Sequence, residues 1–151
     1  MAQTFLGTTP TRVDWAPASP PFSDVPITAS IWARPTNTSD QVVFAIADKD
    51  AANYHSFRQS FSGQTGRISC VSFAGGSNGS TSIAQYTQNQ WNHYAGVWAS
   101  NTSRTMFLDG VAATTNTASV SVPNLDRVTI GISADSTPFG GHSGGVAECA
   151  V

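Results

Sequence analysis

Charged residues are scarce in this chain. Lysine and arginine number 7 and aspartate and glutamate 9, so that only 11% of the 151 residues are charged, against about 25% in ordinary globular domains. The formal net charge of -2 gives no basic surface for phosphate groups, which excludes nucleic acid and anionic membrane surfaces as expected partners. Serine, threonine and asparagine stand in place of charge, and these residues favour strands and turns over helix interiors.

Long hydrophobic runs and a cysteine framework are also missing. The charge-free stretch from residue 68 to residue 103 is interrupted by Gly, Asn, Ser and Gln, so it lacks the apolar length that spans a bilayer. Residues 1–5 lack the basic and apolar regions of a secretion signal. Cys70 and Cys149 are too few and too far apart for a metal motif. We expect no membrane insertion and two free thiols on strands.

Helical periodicity is absent, whereas period-two alternation bounded by Gly, Asn, Asp or Pro recurs along the chain. Asp109-Gly110 lies between two apolar segments and predicts a tight hairpin, because both residues tolerate positive φ. The predicted strands cover residues 26–34, 41–48, 54–59, 67–73, 80–86, 91–99, 104–108, 111–115, 127–132 and 145–151. The pattern predicts an all-β fold, an antiparallel two-sheet β-sandwich of the jelly-roll type, as a single domain over residues 1–151.

Four sequence patterns occur in a fixed order. Residues 27–33 form an alternating strand with Trp32 near its end, and residues 91–95 read W-x-H-x-A. An aromatic strand ending in Asp-Gly follows at residues 106–110, and Gly-Gly-Val-Ala-Glu stands at residues 144–148. In this order the chain resembles the concanavalin A-like, laminin-G-like (LamG) jelly-roll family. Its short form also resembles proteins encoded by tailed bacteriophages.

The resemblance implies structural roles for one set of residues. These are Trp32, Trp91, His93, Asp109, Gly110 and Glu148. Trp91 shares a strand face with His93 and is expected in the core, with the imidazole packed beside it. Family members continue beyond the last strand, so we expect the chain to lack the family's C-terminal segment. Either the sequence is a fragment of a longer protein or another subunit covers the strand at residues 145–151, because an uncovered terminal strand would be an exposed edge.

Carboxylates are too few for the catalytic arrangement of the glucanase branch. That chemistry needs an acid and a second carboxylate about 5 to 5.5 Å apart, and Glu148 is the single glutamate of the chain. Its strand neighbours Val146 and Ala150 are apolar, so Glu148 is expected to accept hydrogen bonds as a structural residue. The three histidines show no Ser-His-Asp pattern above chance. We expect no enzymatic activity.

Ligand and metal candidates lie on the predicted loops and on one strand face. The expected ligand or partner surface comprises Trp98, Asn78, Phe139 and His142, because indoles stack on sugars and glycine-rich loops allow close approach. Asp48 and Asp50 form an acidic loop of the kind calcium prefers, and Asp135 would complete a calcium shell if the fold brings it near. The alternative for these aspartates is ordinary turn formation. No other cofactor is expected.

The expected function is a non-catalytic structural or adhesion module. The low charge, the missing carboxylate pair and the resemblance to phage proteins favour a virion surface protein, decorating a capsid or forming part of an appendage, with a lectin-like surface. Its partners would be its own copies, a capsid or tail protein and a cell-surface glycan. The alternative is a carbohydrate-binding accessory domain of a larger glycan-active enzyme, and a self-contained hydrolase is the least favoured hypothesis.

Overall fold

The protein is a sandwich of two antiparallel β-sheets. The computed structural model describes residues 3–6, 13–16, 24–133 and 135–151. The strands are β1 (Gln3–Leu6), β2 (Val13–Trp15), β3 (Ile27–Pro35), β4 (Gln41–Ala47), β5 (Asn53–Gln59), β6 (Ile68–Ala74), β7 (Ser77–Thr81), β8 (Asn92–Ser100), β9 (Ser103–Leu108), β10 (Val111–Ala112), β11 (Arg127–Ile130) and β12 (Ser143–Ala150). A 3-10 turn spans Phe61–Gly63. This confirms the predicted fold class.

Within the part of the chain that the structure describes, each of the two sheets has six strands. Sheet A has the order β1-β12-β3-β8-β9-β10, and sheet B has the order β2-β11-β4-β5-β6-β7. The core between them takes Ile31, Tyr94 and Trp98 from sheet A and Phe44 and Phe57 from sheet B. In β3 the buried Ile27, Ala29 and Ile31 alternate with more exposed residues, as a strand with one buried face requires. The inner face of each sheet is therefore set by period-two alternation.

The β9–β10 hairpin turns at Asp109-Gly110, as predicted. Both residues have positive φ, 50° and 80°, the combination that a type I′ turn needs. The Asp109 carboxylate also accepts a 2.7 Å hydrogen bond from the backbone N–H of His93. The turn thus connects β9 to β8 as well as to β10.

Two strands near the start of the chain escaped prediction. β1 pairs with β12 and β2 pairs with β11, both antiparallel. β12 therefore lies between β1 and β3, and the expectation that the last strand is an exposed edge or is covered by another subunit was wrong. Short strands of three or four residues carry too little alternation to be found from the sequence.

No helix among the described ranges has the length and apolar character needed to cross a membrane. The two cysteines are free thiols, Cys70 on β6 and Cys149 on β12, as expected.

Candidate functional site

The outer face of sheet B is closed by aromatic side chains. Tyr54, which points away from the main core, packs with Ala47 and Val71 in a second apolar cluster. Its ring stacks on Phe73 at a centroid distance of 5.2 Å, and Phe139 covers it at 5.6 Å. Phe139 comes from the irregular segment between β11 and β12, so this segment seals the sheet.

Arg58 holds Phe139 in position over Tyr54. Its guanidinium lies 5.1 Å from the centroid of the Phe61 ring and 5.0 Å from that of Phe139. Two hydrogen bonds of 2.6 and 2.8 Å join it to the Asp40 carboxylate, a bidentate pairing that holds the guanidinium in one orientation. Phe139, held by Arg58, therefore covers the Tyr54 ring on the outer face of sheet B.

The outer face of sheet A is open. Trp32 on β3 is 38% exposed and Trp91, just before β8, is 43% exposed. Together with Ala147 and Glu148 these indoles line a shallow hollow of about 390 Å³ that opens widely to solvent. The volume is within the range of small-molecule sites. We name it the indole hollow.

Gly145 creates space for the Trp91 ring. A Cβ atom at Gly145 would lie 3.1 Å from Cη2 of Trp91 and 3.8 Å from Cβ of Arg34. Gly145 pairs with Arg34 across β12 and β3, so the Trp91 indole reaches over the neighbouring strand to lie above the glycine. A Cβ atom at this position would require the Trp91 ring to shift by a few tenths of an ångström.

Trp32 is supported from the opposite side by His93. The two residues are partners in the β3–β8 register, and their ring centroids are 5.1 Å apart with a tilt of 51°. Among the described ring contacts, the partner of His93 is Trp32, whereas Trp91 was the expected neighbour. This contact limits the motion of the Trp32 ring and preserves an exposed face.

Glu148 enters the hollow through an irregularity in β12. The β12–β3 register shifts between Ala147 and Ala150, and Glu148 has φ of 51°. Ala147 pairs with Trp32, so an ideal strand would turn the next side chain towards the core. The left-handed residue instead leaves Glu148 exposed at the hollow. The expectation of a hydrogen-bonded structural glutamate is not met among the described contacts.

The assignments of Trp91 and Trp98 were reversed. Trp98 is completely buried between the sheets, with its ring 5.6 Å from Phe57 and 5.5 Å from His55. It was expected on the ligand surface and is a core residue, whereas Trp91 was expected in the core and is exposed. The physical reason is that the Trp98 side of β8 faces sheet B.

The remaining predicted ligand residues do not come together at one site. His142 is 1% exposed, and burial lowers the pKa of its imidazole to about 4. Phe139 belongs to the seal over Tyr54. Asn78 lies half-buried on β7, paired with Ser72, where a flexible loop was expected. The predicted ligand surface was therefore wrong for His142, and the structure does not join Asn78 to it.

The acidic loop forms a cluster, but with a different third member. Carboxylate oxygens of Asp48, Asp50 and Asp126 lie within 4.8 Å of one another. Asp135, the expected third ligand, is outside this cluster. It is buried and accepts a hydrogen bond from the backbone N–H of Thr137. Burial raises the pKa of its carboxyl group.

Hydrogen-bond donors of the chain already occupy the acidic cluster. Both oxygens of Asp48 accept hydrogen bonds, one from the backbone of Asp50 and one from Asn53. The Lys49 backbone donates to Asp126, and the Lys49 ammonium pairs with Asp50. These are the contacts of an acidic turn, although the three carboxylates have the hard oxygen atoms that would hold a calcium ion.

A buried hydrogen-bonded series connects Ser72, His55 and Asp24. Ser72 Oγ lies 2.9 Å from Nδ1 of His55, and Nε2 of the same ring lies 3.0 Å from Oδ1 of Asp24. The order is that of a nucleophile, a base and an orienting acid, and it was missed in the sequence. Ser72 and His55 are buried, so a substrate has no access to the hydroxyl.

Comparison with known proteins places this geometry in a family. The family model Laminin_G_3, of the concanavalin A-like lectin/glucanases superfamily, matches residues 8–147. No curated protein sequence matches the chain significantly.

Solved structures have the same fold at low identity. Domains LG4-5 of the mouse laminin alpha1 chain give a TM-score of 0.72 at 15% identity over 99% of this chain, which spans only 41% of that structure. A SAP-like pentraxin from Limulus polyphemus gives 0.70 at 13% identity, covering 98% of this chain and 73% of the pentraxin. Domain 4 of the arabinanase AbnA from Geobacillus stearothermophilus, solved with arabinotriose, gives 0.62 at 16%, covering 97% and 79%. Since the family model spans nearly the whole sequence, the chain belongs to the concanavalin A-like lectin/glucanases superfamily.

Proposed function

We propose that the protein is a non-catalytic glycan-binding module that uses the indole hollow on sheet A. The observation that carries this proposal is the exposure of Trp32 and Trp91 on one face of a rigid sheet. Exposed indoles combine a flat apolar surface with a polar N–H group, and the C–H faces of sugar rings stack on such surfaces. Among the described residues, Glu148 is the one carboxylate lining the hollow, whereas glycoside hydrolysis uses two.

Binding of short neutral oligosaccharides tests this proposal. Cellotriose, maltotriose and arabinotriose are titrated into the protein, with tryptophan fluorescence and calorimetry as the two measurements. At least one trisaccharide should bind, and Trp91→Ala should weaken that binding about tenfold or more, as truncation of a central aromatic contact does. The melting temperature should change little.

Trp15 provides the matched control. It is 52% exposed, but it lies on β2 of sheet B, outside the hollow. Trp15→Ala removes an indole of similar exposure and should leave glycan binding unchanged. Equal losses in the Trp15→Ala and Trp91→Ala variants, or no binding of any trisaccharide by the wild type, would overturn the proposal. Release of reducing sugar by the wild type would overturn its non-catalytic part.

The setting we propose is the surface of a tailed-phage virion. The resemblance of the sequence to phage-encoded proteins and its low content of charged residues support it. Electron microscopy of particles labelled with antibodies against the purified protein tests it. Regularly spaced label on a shell or an appendage is expected, and label absent from particles would refute the virion setting while leaving the glycan site untouched.

A second candidate is an accessory domain of a larger glycan-active enzyme. The structure that favours it is domain 4 of AbnA, which was solved with arabinotriose and has the same fold. Both candidates use a glycan site, and they differ in whether the module is joined to a catalytic domain. The mass of the polypeptide isolated from its native source distinguishes them, because an accessory domain would be found joined to a catalytic domain.

A further inference from the structure

We propose that Glu148 determines the specificity of the indole hollow, selecting neutral pyranose sugars over acidic ones by accepting hydrogen bonds from adjacent sugar hydroxyls. This inference rests on the glycan-binding function proposed above and adds the class of sugar and the residue that selects it. Its basis is the position of the carboxylate, the backbone conformation that places it there, and the charges around the hollow.

The backbone of Glu148 is unusual for its residue type. With φ of 51° it occupies the left-handed region, which is disfavoured for residues other than Gly, Asn and Asp. A glycine or an asparagine would be accommodated there at lower cost. A strained residue that persists at an exposed, ligand-sized hollow is the kind of outlier that accompanies binding sites.

The register shift in β12 places Ala147 and Glu148 side by side at the hollow. Ala147 lies opposite Trp32 in the β12–β3 register, and both Ala147 and Glu148 line the depression. Ala147 adds no bulk beside the Trp32 ring, so a sugar ring can lie against the indole. The Glu148 carboxylate is then at the rim, where the hydroxyl groups of a stacked sugar project.

The chemistry of the rim favours a neutral ligand. An ionised carboxylate only accepts hydrogen bonds, and its two oxygens suit two adjacent hydroxyls. Hydrogen bonds to a charged acceptor are stronger than those to a neutral one. A uronic or sialic acid would instead bring a second carboxylate beside Glu148, which is repulsive. The side chains that line the hollow include no cation among the described residues. The nearby Arg34 donates a hydrogen bond of 2.9 Å from its Nε to the carbonyl oxygen of Asn89.

Two substitutions distinguish the effect of the Glu148 charge on binding from the effect of its left-handed backbone on stability. Glu148→Gln keeps the shape of the side chain and removes its charge. Glu148→Asn also removes the charge, but it suits the left-handed conformation and should raise the melting temperature or leave it unchanged. Both variants should bind the neutral trisaccharide about tenfold more weakly than the wild type, the ratio expected when a charge-assisted hydrogen bond is lost.

The ligand series for this test contains one neutral, one acidic and one cationic sugar. Cellotriose, trigalacturonic acid and the glucosamine trimer are titrated into the wild type and both variants. The wild type should bind cellotriose and reject trigalacturonic acid, and Glu148→Gln should narrow that difference. Preferential binding of the glucosamine trimer would overturn the neutral class, because the carboxylate would then be pairing with an ammonium group.

The outcomes distinguish this inference from the function on which it depends. If Trp91→Ala abolishes cellotriose binding while both Glu148 variants bind as the wild type does, glycan binding stands and the role of Glu148 is refuted. If the wild type binds none of these three sugars and neither maltotriose nor arabinotriose, both proposals fail. Weaker cellotriose binding by Glu148→Gln, together with an unchanged melting temperature of Glu148→Asn, supports the assignment of Glu148 as a ligand-selecting residue.

Discussion

His55 is hydrogen-bonded to Asp24, with its Nε2 atom 3.0 Å from Oδ1 of the carboxylate. Its other ring nitrogen is hydrogen-bonded to Ser72. The other oxygen of Asp24 accepts hydrogen bonds from the Ser121 hydroxyl and the Val122 backbone. His55 therefore links β5 and β6 to the entry of β3 and to the segment before β11. Burial is the larger influence on this ring and lowers its pKa to about 4, against the opposing effect of Asp24.

The stability of the protein should fall as the pH is lowered from about 6.5 to about 4. His55 and His142 both have a pKa of about 4 in the folded state and about 6.5 in the unfolded chain. In this window the unfolded state binds more protons, so the free energy of unfolding decreases by up to about 3 kcal/mol for each histidine and levels off below pH 4. Urea titrations at pH 7 and pH 4.5 measure the difference.

Substitution of the buried histidines checks their part in this effect. The double variant His55→Gln, His142→Gln should be less stable than the wild type at pH 7, because hydrogen bonds are lost. Its free energy of unfolding should change less between pH 7 and pH 4.5. An unaltered pH dependence in the double variant would show that other groups are responsible.

Gly96 should not tolerate even a methyl group. A Cβ atom there would lie 2.5 Å from Cε1 of Phe57 and 3.0 Å from Cζ3 of Trp98, so Gly96→Ala overpacks the core. The expected loss is about 1 to 3 kcal/mol, measured by urea unfolding. Gly76→Ala is the control, because nothing lies within 4 Å of a Cβ at that position. Equal stability of the two variants would contradict the packing described here.

Truncation of Trp98 and of Trp91 should have different effects. Trp98→Ala leaves a cavity between the sheets and should cost about 3 to 5 kcal/mol. Trp91→Ala removes a ring that is nearly half exposed, and a loss below about 1 kcal/mol is expected. Thermal melts of both variants give the comparison. A Trp91→Ala variant that unfolds at room temperature would place this indole in the core after all.

Calcium should leave the melting temperature unchanged. The oxygens of Asp48 accept hydrogen bonds, and the Lys49 ammonium pairs with Asp50, so an ion would have to displace contacts already present. Melts in excess calcium and in excess chelator should coincide. A calcium-dependent rise that disappears in Asp126→Asn would instead establish a metal site, since any ligand that binds only the folded state raises its stability.

The sequence could indicate the fold because its signals are local. Alternation in β3 and the Asp109-Gly110 turn depend on neighbouring residues, and both were confirmed. The faces of β8 depend on pairing with β3, which is not local. Antiparallel neighbours share a face, so an outward Trp32 implies an outward His93 and, by alternation, an outward Trp91. Pairing the two strands before assigning their faces would have found the indole hollow.

Other features of the site had no signal in the sequence. The irregularity at Glu148 is a register shift between β12 and β3, and no residue pattern in β12 predicts it. Asp126 lies 76 positions beyond Asp50 in the numbering, and only the fold brings their carboxylates together. The contact of the Arg58 guanidinium with the Phe139 ring likewise depends on where the segment before β12 returns to sheet B.

The open shape of the indole hollow has a consequence for valency. Under the glycan-binding function proposed above, a sugar lying on Trp32 and Trp91 would keep much of its surface in water, so a single site would hold its ligand weakly and release it quickly. Several copies on one support would bind a polysaccharide far more tightly, because each attached site raises the effective concentration of sugar at the next. Retention on a glycan-coated surface would then depend on the spacing between copies, and a lone copy would exchange freely.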